Sequence, residues 1–195
     1  MPSNSDSLEK FVQFLDELAS IPAEEATKLY SMGKTVALEK GDYFIRAGEV
    51  PTSLAFVNSG LFRYVYIDVE GRQFTKGFMP ELSILSSYSA MLRKTQSTYY
   101  IEALEPSEIV VFDYSGWLKL KETNHCWDRF LIAMLEKGYM KKESRERELL
   151  LLRAEDRYRI FLNEFPTLES RVKQHMIATY LGIIPESLSR IRKSS

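Results

Sequence analysis

Glycines at positions 41, 48, 60, 71 and 77 cut one stretch of the chain into short segments rich in β-branched and aromatic residues, at 35–38, 43–45, 54–57 and 61–69. Glycine readily supplies the positive φ that tight turns need, so this punctuation forbids long helices and suits antiparallel strands joined by hairpins. Phe62, Tyr64 and Tyr66 alternate with Arg63, Val65 and Ile67. Both faces of that strand carry bulk, as in the wall of a sandwich or barrel. Glu70-Gly71 is the expected hairpin turn, and segments 101–104 and 108–112 flank a second turn at Glu105-Pro106-Ser107. Short strands at this spacing predict a closed or two-layered β-roll over roughly 34–113.

Helical periodicity surrounds the roll. Leu8, Phe11, Val12, Leu15 and Leu18 recur at three- and four-residue steps, Ile21-Pro22 breaks the pattern, and Ala26, Leu29 and Tyr30 form the inward side of a second helix. Beyond Tyr114, Trp127, Leu131, Met134 and Gly138 share one stripe at the spacing of a coiled-coil seam. The run Lys141-Lys142-Glu143-Ser144-Arg145-Glu146-Arg147-Glu148 places charge on every face and reads as a solvated, ion-paired helix surface. Apolar contact resumes at 149–152, and 154–165 is a further helix with Tyr158, Phe161, Leu162 and Phe165 inward, ended by Pro166. The expected fold is α+β, with an antiparallel, jelly-roll-like β-roll, a long connecting helix and a small C-terminal helical lobe. The expected boundaries are 1–113, 114–153 and 154–195.

Composition narrows the classes. Against 26 Lys and Arg stand 27 Asp and Glu, a net charge of −1 that excludes a wholly polybasic, histone-like protein. A single cysteine, Cys126, excludes an intrachain disulfide framework and four-Cys zinc or iron–sulfur sites, and suits a reducing compartment. The opening residues lack a signal-peptide pattern, and the apolar stretches at 131–135 and 176–184 are too short to span a bilayer, so a cytoplasmic protein with no membrane partner is expected. His125 and Cys126 are adjacent and point in different directions on a helix, so they do not readily bind one haem face. Neither they nor His175, nor any serine, sits in a nucleophile elbow, a metal-binding pair or a phosphate loop. No catalytic residue and no metal site is expected. A cupin-like enzyme would need histidines in the β-region, and both lie outside it.

The stretch 174–193 says most about function. Ile177, Ala178 and Leu181 form the buried side of a short helix, Gly182 can take the left-handed conformation that ends it, and Ile183 plugs the corner. Pro185 fits the first turn of a second helix, which returns Leu188 and Ile191 to the core and displays Glu186, Ser187, Ser189, Arg190 and Lys193. Together they describe a helix-turn-helix, with an ordinary helical hairpin as the plain alternative. Residues 171–195 carry five cations (Arg171, Lys173, Arg190, Arg192, Lys193) against Glu186, a local charge of +4 where phosphates would lie.

In this order, the segments resemble the Crp/Fnr family of bacterial transcription regulators. Lys40-Gly41-Asp42-Tyr43-Phe44-Ile45-Arg46-Ala47-Gly48-Glu49 resembles the family's early β-roll signature, and Val57-Asn58-Ser59-Gly60 resembles its next glycine turn. Ala154–Arg159 resembles the segment after the dimer helix, and Tyr180-Leu181-Gly182-Ile183 through Arg190 resembles the DNA-reading motif. The resemblance implies a homodimer on near-palindromic double-stranded DNA, with RNA polymerase and an unidentified small-molecule effector as further partners. Glu186 and Arg190 match the base-contacting residues, the carboxylate accepting from cytosine and the arginine donating twice to guanine. Gln174, Ser187, Ser189 and Lys193 are candidates for phosphate or further base contacts. The family's Phe-Gly-Glu turn reads Phe78-Met79-Pro80-Glu81-Leu82 here, and no arginine accompanies Gln96-Ser97 at the phosphate-gripping position. Glu81, Leu82, Ser83, Gln96 and Ser97 are therefore the expected ligand pocket, with cyclic nucleotide disfavoured as its occupant and no cofactor identified. Residues 166–172 leave little room for the β-wing of many relatives. The rival reading is a ligand-sensing or protein-interaction module with a vestigial DNA-binding lobe.

Overall fold

The computed structural model describes residues 4–194. Their order is α1 (Asn4–Ala19), α2 (Ala23–Ser31), β1 (Lys34–Leu38), β2 (Tyr43–Ile45), β3 (Ser53–Ser59), β4 (Phe62–Ile67), β5 (Gln73–Met79), β6 (Ile84–Leu85) and α3 (Tyr88–Arg93). Then come β7 (Tyr100–Ala103), β8 (Ser107–Asp113), α4 (Tyr114–Thr123), α5 (Cys126–Leu151), α6 (Ala154–Glu164), α7 (Leu168–Arg171), α8 (Gln174–Leu181) and α9 (Pro185–Ser194). The chain divides into two compact units, one of residues through Tyr64 with Phe78–Glu136, the other of Val65–Gly77 with Lys137 onward.

The first unit is built from strand alternation. Two four-stranded sheets run β1-β8-β3-β6 and β2-β7-β4-β5. In β3 and β8, Ala55, Val57 and Ile109 point one way and join Ile45, Phe62, Leu85, Ile101 and Ala103 inside the roll. Leu54, Phe56, Val110 and Phe112 point the other way, where Phe11, Leu15, Leu29, Trp117, Trp127 and Phe130 of the helices cover them. The register sets Phe56 against Val110 and Val36 against Ile109. Both faces of these strands are thus dry, which accounts for their near-continuous apolar character. Gly60 (φ +99°) is obligatory, because a Cβ there would lie 2.5 Å from Ser107 Cβ. Trp127 Nε1 donates to the buried Glu25 carboxylate at 3.2 Å, and Lys28 pairs with the same carboxylate at 2.8 Å. The lysine hydrogen bond, helped by the indole and opposed by burial, holds Glu25 below the usual carboxylate range.

The stripe at coiled-coil spacing packs inward, within its own chain. Trp127 is fully buried, Leu131 and Met134 pack against the same core, and Gly138 is exposed. That row docks the first half of α5 onto its own domain. The exposed apolar row is Ile132, Leu135 and Tyr139, at steps of three and four residues. α4 and α5 are also separate helices, broken at Asn124, whose Oδ1 accepts from the Cys126 N–H at 3.0 Å and caps α5.

The second unit holds Val65–Gly77 of the β4–β5 hairpin, the second half of α5 and helices α6 to α9. The hairpin turns where Glu70-Gly71 predicts, with Gly71 at φ +81° and Asp68 N–H donating to Arg72 O at 3.0 Å. Tyr158, Phe161, Phe165, Leu168, Ile177, Ala178, Tyr180, Leu181, Leu188 and Ile191 are buried. The rings of Phe161 and Phe165 lie 5.7 and 6.1 Å from that of Tyr180. Among the described residues no strand comes after Asp113, and residues 166–172 hold only the short helix α7.

Candidate nucleic-acid interface

Local signals position the C-terminal helix pair. Gly182 ends α8 in the left-handed conformation (φ 67°, ψ 33°), its N–H bonded to the preceding turn, and Ile183 N–H reaches Ala178 O at 3.0 Å. Pro185 opens α9, where its missing N–H is no loss. Leu188 and Ile191 are buried three residues apart, so the opposite side of α9 must face outward.

On that outward side Glu186, Arg190 and Lys193 are exposed and share one stripe at steps of four and three residues. Ser187 and Ser189 are half-buried, flanking it. Gln174 is exposed in the first turn of α8. Glu186 stands in the first turn of α9, where the helix dipole favours a carboxylate. Ile184, in the turn, is 62% exposed beside this stripe, an apolar surface that sequence reading passes over.

The +4 charge is not all on this side. Arg192 Nε pairs with Glu169 Oε1 at 2.9 Å, and Tyr158 OH donates to the same oxygen at 2.6 Å. Burial first, and then the Glu169 carboxylate, push the Tyr158 phenol up to about 12.

The charge run of α5 is mostly exposed and ion-paired, as expected, and two of its cations also meet the helical lobe. Lys141 Nζ pairs with Glu164 Oε1 at 2.7 Å and lies 4.8 Å from the Phe165 ring centroid. Arg145 sits 3.6 Å from the centroid of the Tyr180 ring and donates through Nη2 to the Tyr180 carbonyl. Arg157 of α6 donates to Leu181 O at 3.0 Å and Leu152 O at 2.7 Å. The hairpin meets α8 as well: Thr179 Oγ1 donates to Thr75 Oγ1 at 3.0 Å and faces the Thr75 N–H at 3.3 Å. Period alone does not signal these contacts, because their partners lie far along the chain.

The five residues expected to line a ligand pocket fall into two groups. Glu81 is half-buried and accepts from Gly60 N–H at 3.2 Å. Leu82 is exposed at φ +59°, and its N–H and the Ser83 carbonyl bond to Val57 at 3.0 and 2.9 Å. Gln96 is exposed, whereas Ser97 is buried. Ser97 Oγ donates to Tyr99 O at 2.8 Å, contacts Ser87 Oγ at 3.1 Å and accepts from Tyr99 N–H at 3.4 Å, which uses its donor and both lone pairs. Nearby, the Tyr64 and Tyr99 rings stack at 5.3 Å, and both hydroxyls bond to the Ser86 backbone. Burial raises the Tyr64 phenol far above its ordinary value. A buried arginine that sequence did not foretell, Arg63, pairs with Glu102 at 2.7 Å.

Among the described residues no group of His, Cys, Asp and Glu is arranged to hold a metal, and no helix is long and apolar enough to cross a membrane. His125 is exposed, 3.3 Å from Asp128, while Cys126 beside it is buried.

Residues 35–124 match the model of the cyclic nucleotide-binding domain. No curated protein matches the sequence. Among solved structures, FixK2 of Bradyrhizobium japonicum is 19% identical with a TM-score of 0.74, covering 83% of each chain. CLP of Xanthomonas campestris, a global regulator responsive to c-di-GMP, is 16% identical with a TM-score of 0.72, covering 89% of this chain and 91% of its own. The catabolite activator protein of Thermus thermophilus is 18% identical with a TM-score of 0.60, covering 93% and 85%. The chain therefore has the fold of Crp/Fnr-type regulators, a cyclic nucleotide-binding-type β-roll followed by C-terminal helices.

Proposed function

We propose that the protein is a homodimeric, DNA-binding transcription regulator, with a sensor in 1–113, a connecting and dimerising helix region in 114–153 and a helix-turn-helix lobe in 154–195. The observation that carries this reading is the stripe Glu186–Arg190–Lys193 on α9, turned outward by a left-handed Gly182 and by the buried Leu188 and Ile191. Arg190 offers a planar donor pair to guanine O6 and N7, and Glu186 an acceptor to cytosine N4. The exposed Lys193 and Gln174 and the half-buried Ser187 and Ser189 are assigned to phosphate or further base contacts. The exposed row Ile132, Leu135 and Tyr139 supports pairing of two long helices, which would set two α9 helices in successive major grooves about 34 Å apart. The structural neighbours named as a global regulator and a catabolite activator support the same class.

The signal enters at the roll and is not cyclic AMP. Support comes from Pro80 in the turn that would approach a ribose, and from a Ser97 hydroxyl already committed to Tyr99 and Ser87. An anionic phosphate at Ser97 would have to break those bonds without an arginine to offset the loss.

The test is a fluorescence-anisotropy titration with duplex DNA at several salt concentrations, on the wild type and on Arg190→Ala. Affinity should fall steeply with salt as counterions are released, and Arg190→Ala should lose about 1–3 kcal/mol of discrimination at one guanine position while retaining salt-sensitive binding. Binding indifferent to salt, or an unchanged sequence preference in Arg190→Ala, would refute the reading. Intact binding to another protein by a variant with no DNA affinity would favour the vestigial-lobe alternative.

A further inference from the structure

We infer that Arg145 and Arg157 form a two-arginine clasp that sets the direction of α9, and with it the half-site spacing a dimer accepts. The inference rests on the DNA-binding reading and assigns a task to residues that touch no DNA in it.

The last carbonyls of a helix have no partner within the helix and must find one elsewhere. In α8 two of them, Tyr180 O and Leu181 O, are taken by guanidinium groups arriving from two different helices. Arg145 comes from the second half of α5 and also lies over the Tyr180 ring, 3.6 Å from its centroid. Arg157 comes from α6 and holds Leu181 O at 3.0 Å with Nε and Leu152 O at 2.7 Å with Nη1. One side chain thus ties the end of α8 to the residue just past the end of α5. The positive charges sit at the negative end of the α8 dipole, which strengthens both bonds.

The connection from the clasp to α9 is short. Gly182, Ile183 and Ile184 alone separate Leu181 from Pro185, the first residue of α9. The chain has little slack there, since Ile183 N–H is bonded back to Ala178 O. Gly182 lies against Leu149 of α5, so close that a Cβ would come within 3.1 Å of Leu149 Cδ2. Displacing the end of α8 on α5 therefore displaces Glu186 and Arg190 with it. Lysine cannot replace either arginine fully: an ammonium has no rigid fork to span two carbonyls and no plane to lie on a ring.

The experiment uses the full-length chain and duplexes that contain the two half-sites selected by the wild type. The spacer is kept, lengthened or shortened by one base pair. Affinities are measured for wild type, Arg145→Gln, Arg145→Lys, Arg157→Gln and Arg157→Lys, with circular dichroism and thermal melting on each. In the wild type one spacer should be preferred. In the glutamine variants that preference should fall about ten-fold, the order expected for losing a charge-assisted bond, with intermediate values for the lysine variants. A merely stabilising role would lower the melting temperature and leave the spacer ratio unchanged in the folded lysine variants, which would overturn the inference. Failure of the wild type to bind any duplex would instead overturn the DNA-binding reading, and the clasp's proposed task with it.

Discussion

Gly182→Ala tests the geometry of the turn between α8 and α9 directly. Gly182 has φ 67° and ψ 33°, a left-handed conformation that costs a residue with a Cβ roughly 1–2 kcal/mol. The new methyl would also meet Leu149 Cδ2 at 3.1 Å. Leu149 is 42% exposed, so it can yield at small cost. Against this, alanine narrows the unfolded ensemble and returns roughly 0.4–1 kcal/mol. The net loss is about 1 kcal/mol, or about 2–4 °C in melting temperature for a chain of this size. Urea denaturation followed by far-UV circular dichroism reads it. Gly182→Asn should lose less, because asparagine tolerates this region better. In a Leu149→Ala background the loss should persist almost whole, since the backbone dominates. An alanine variant as stable as wild type, or full rescue by Leu149→Ala, would contradict this view of the turn.

Further outcomes concern two glycines, Glu25 and Tyr158. Gly60→Ala should destabilise by several kcal/mol, roughly 1–3 from overpacking added to the backbone strain, because Ser107 Cα stands 2.8 Å from the new Cβ. Gly41→Ala has a similar φ (+94°) but open space and should lose only about 1 kcal/mol; equal melting temperatures for the two variants would contradict the close approach. Glu25→Ala should lose about 1–3 kcal/mol by orphaning the buried Trp127 N–H, measured by urea unfolding followed through tryptophan fluorescence. Because Lys28 and Trp127 lower the Glu25 pKa, its contribution is present above the ordinary carboxylate range and lost as pH falls below it, and Glu25→Gln should remove that part of the acid limb. Tyr158, raised to about 12, is neutral in the folded chain while an unfolded tyrosine ionises near 10, so its contribution declines as pH rises through roughly 10–12. Comparison of tyrosinate absorbance titrations for wild type and Tyr158→Phe isolates that group, and identical curves above about pH 10 would count against it.

The parts of the fold written in local chemistry were legible. Gly182 and Pro185 mark the end of one helix and the start of the next through backbone preferences that any reader of the chain can apply. The Glu70-Gly71 hairpin was legible for the same reason. The strands Gln73–Met79 and Ile84–Leu85 were harder to see, because exposed Lys76 and then Pro80 interrupt any alternation. The face of α5 was ambiguous in principle. Leu131 with Met134 and Ile132 with Leu135 are both apolar rows, and only the presence of Phe130, Trp117 and the first sheet decides which is covered. Arg63 with Glu102 and Arg145 with Tyr180 are 39 and 35 residues apart, beyond the reach of any periodicity. The outward residues of α9 could be read from Leu188 and Ile191 alone, while the pairing of Arg192 depended on Glu169 in another helix.

Whether the Glu186–Arg190–Lys193 side of α9 reads duplex DNA is tested most directly by selecting bound sequences from a random duplex pool with the intact protein. The expected result is enrichment of a two-fold-symmetric site with half-sites one helical turn apart, and a guanine position at which Arg190→Ala loses about 1–3 kcal/mol of discrimination. A pool that emerges without any enriched sequence, or an Arg190→Ala protein that enriches the same site, would contradict it.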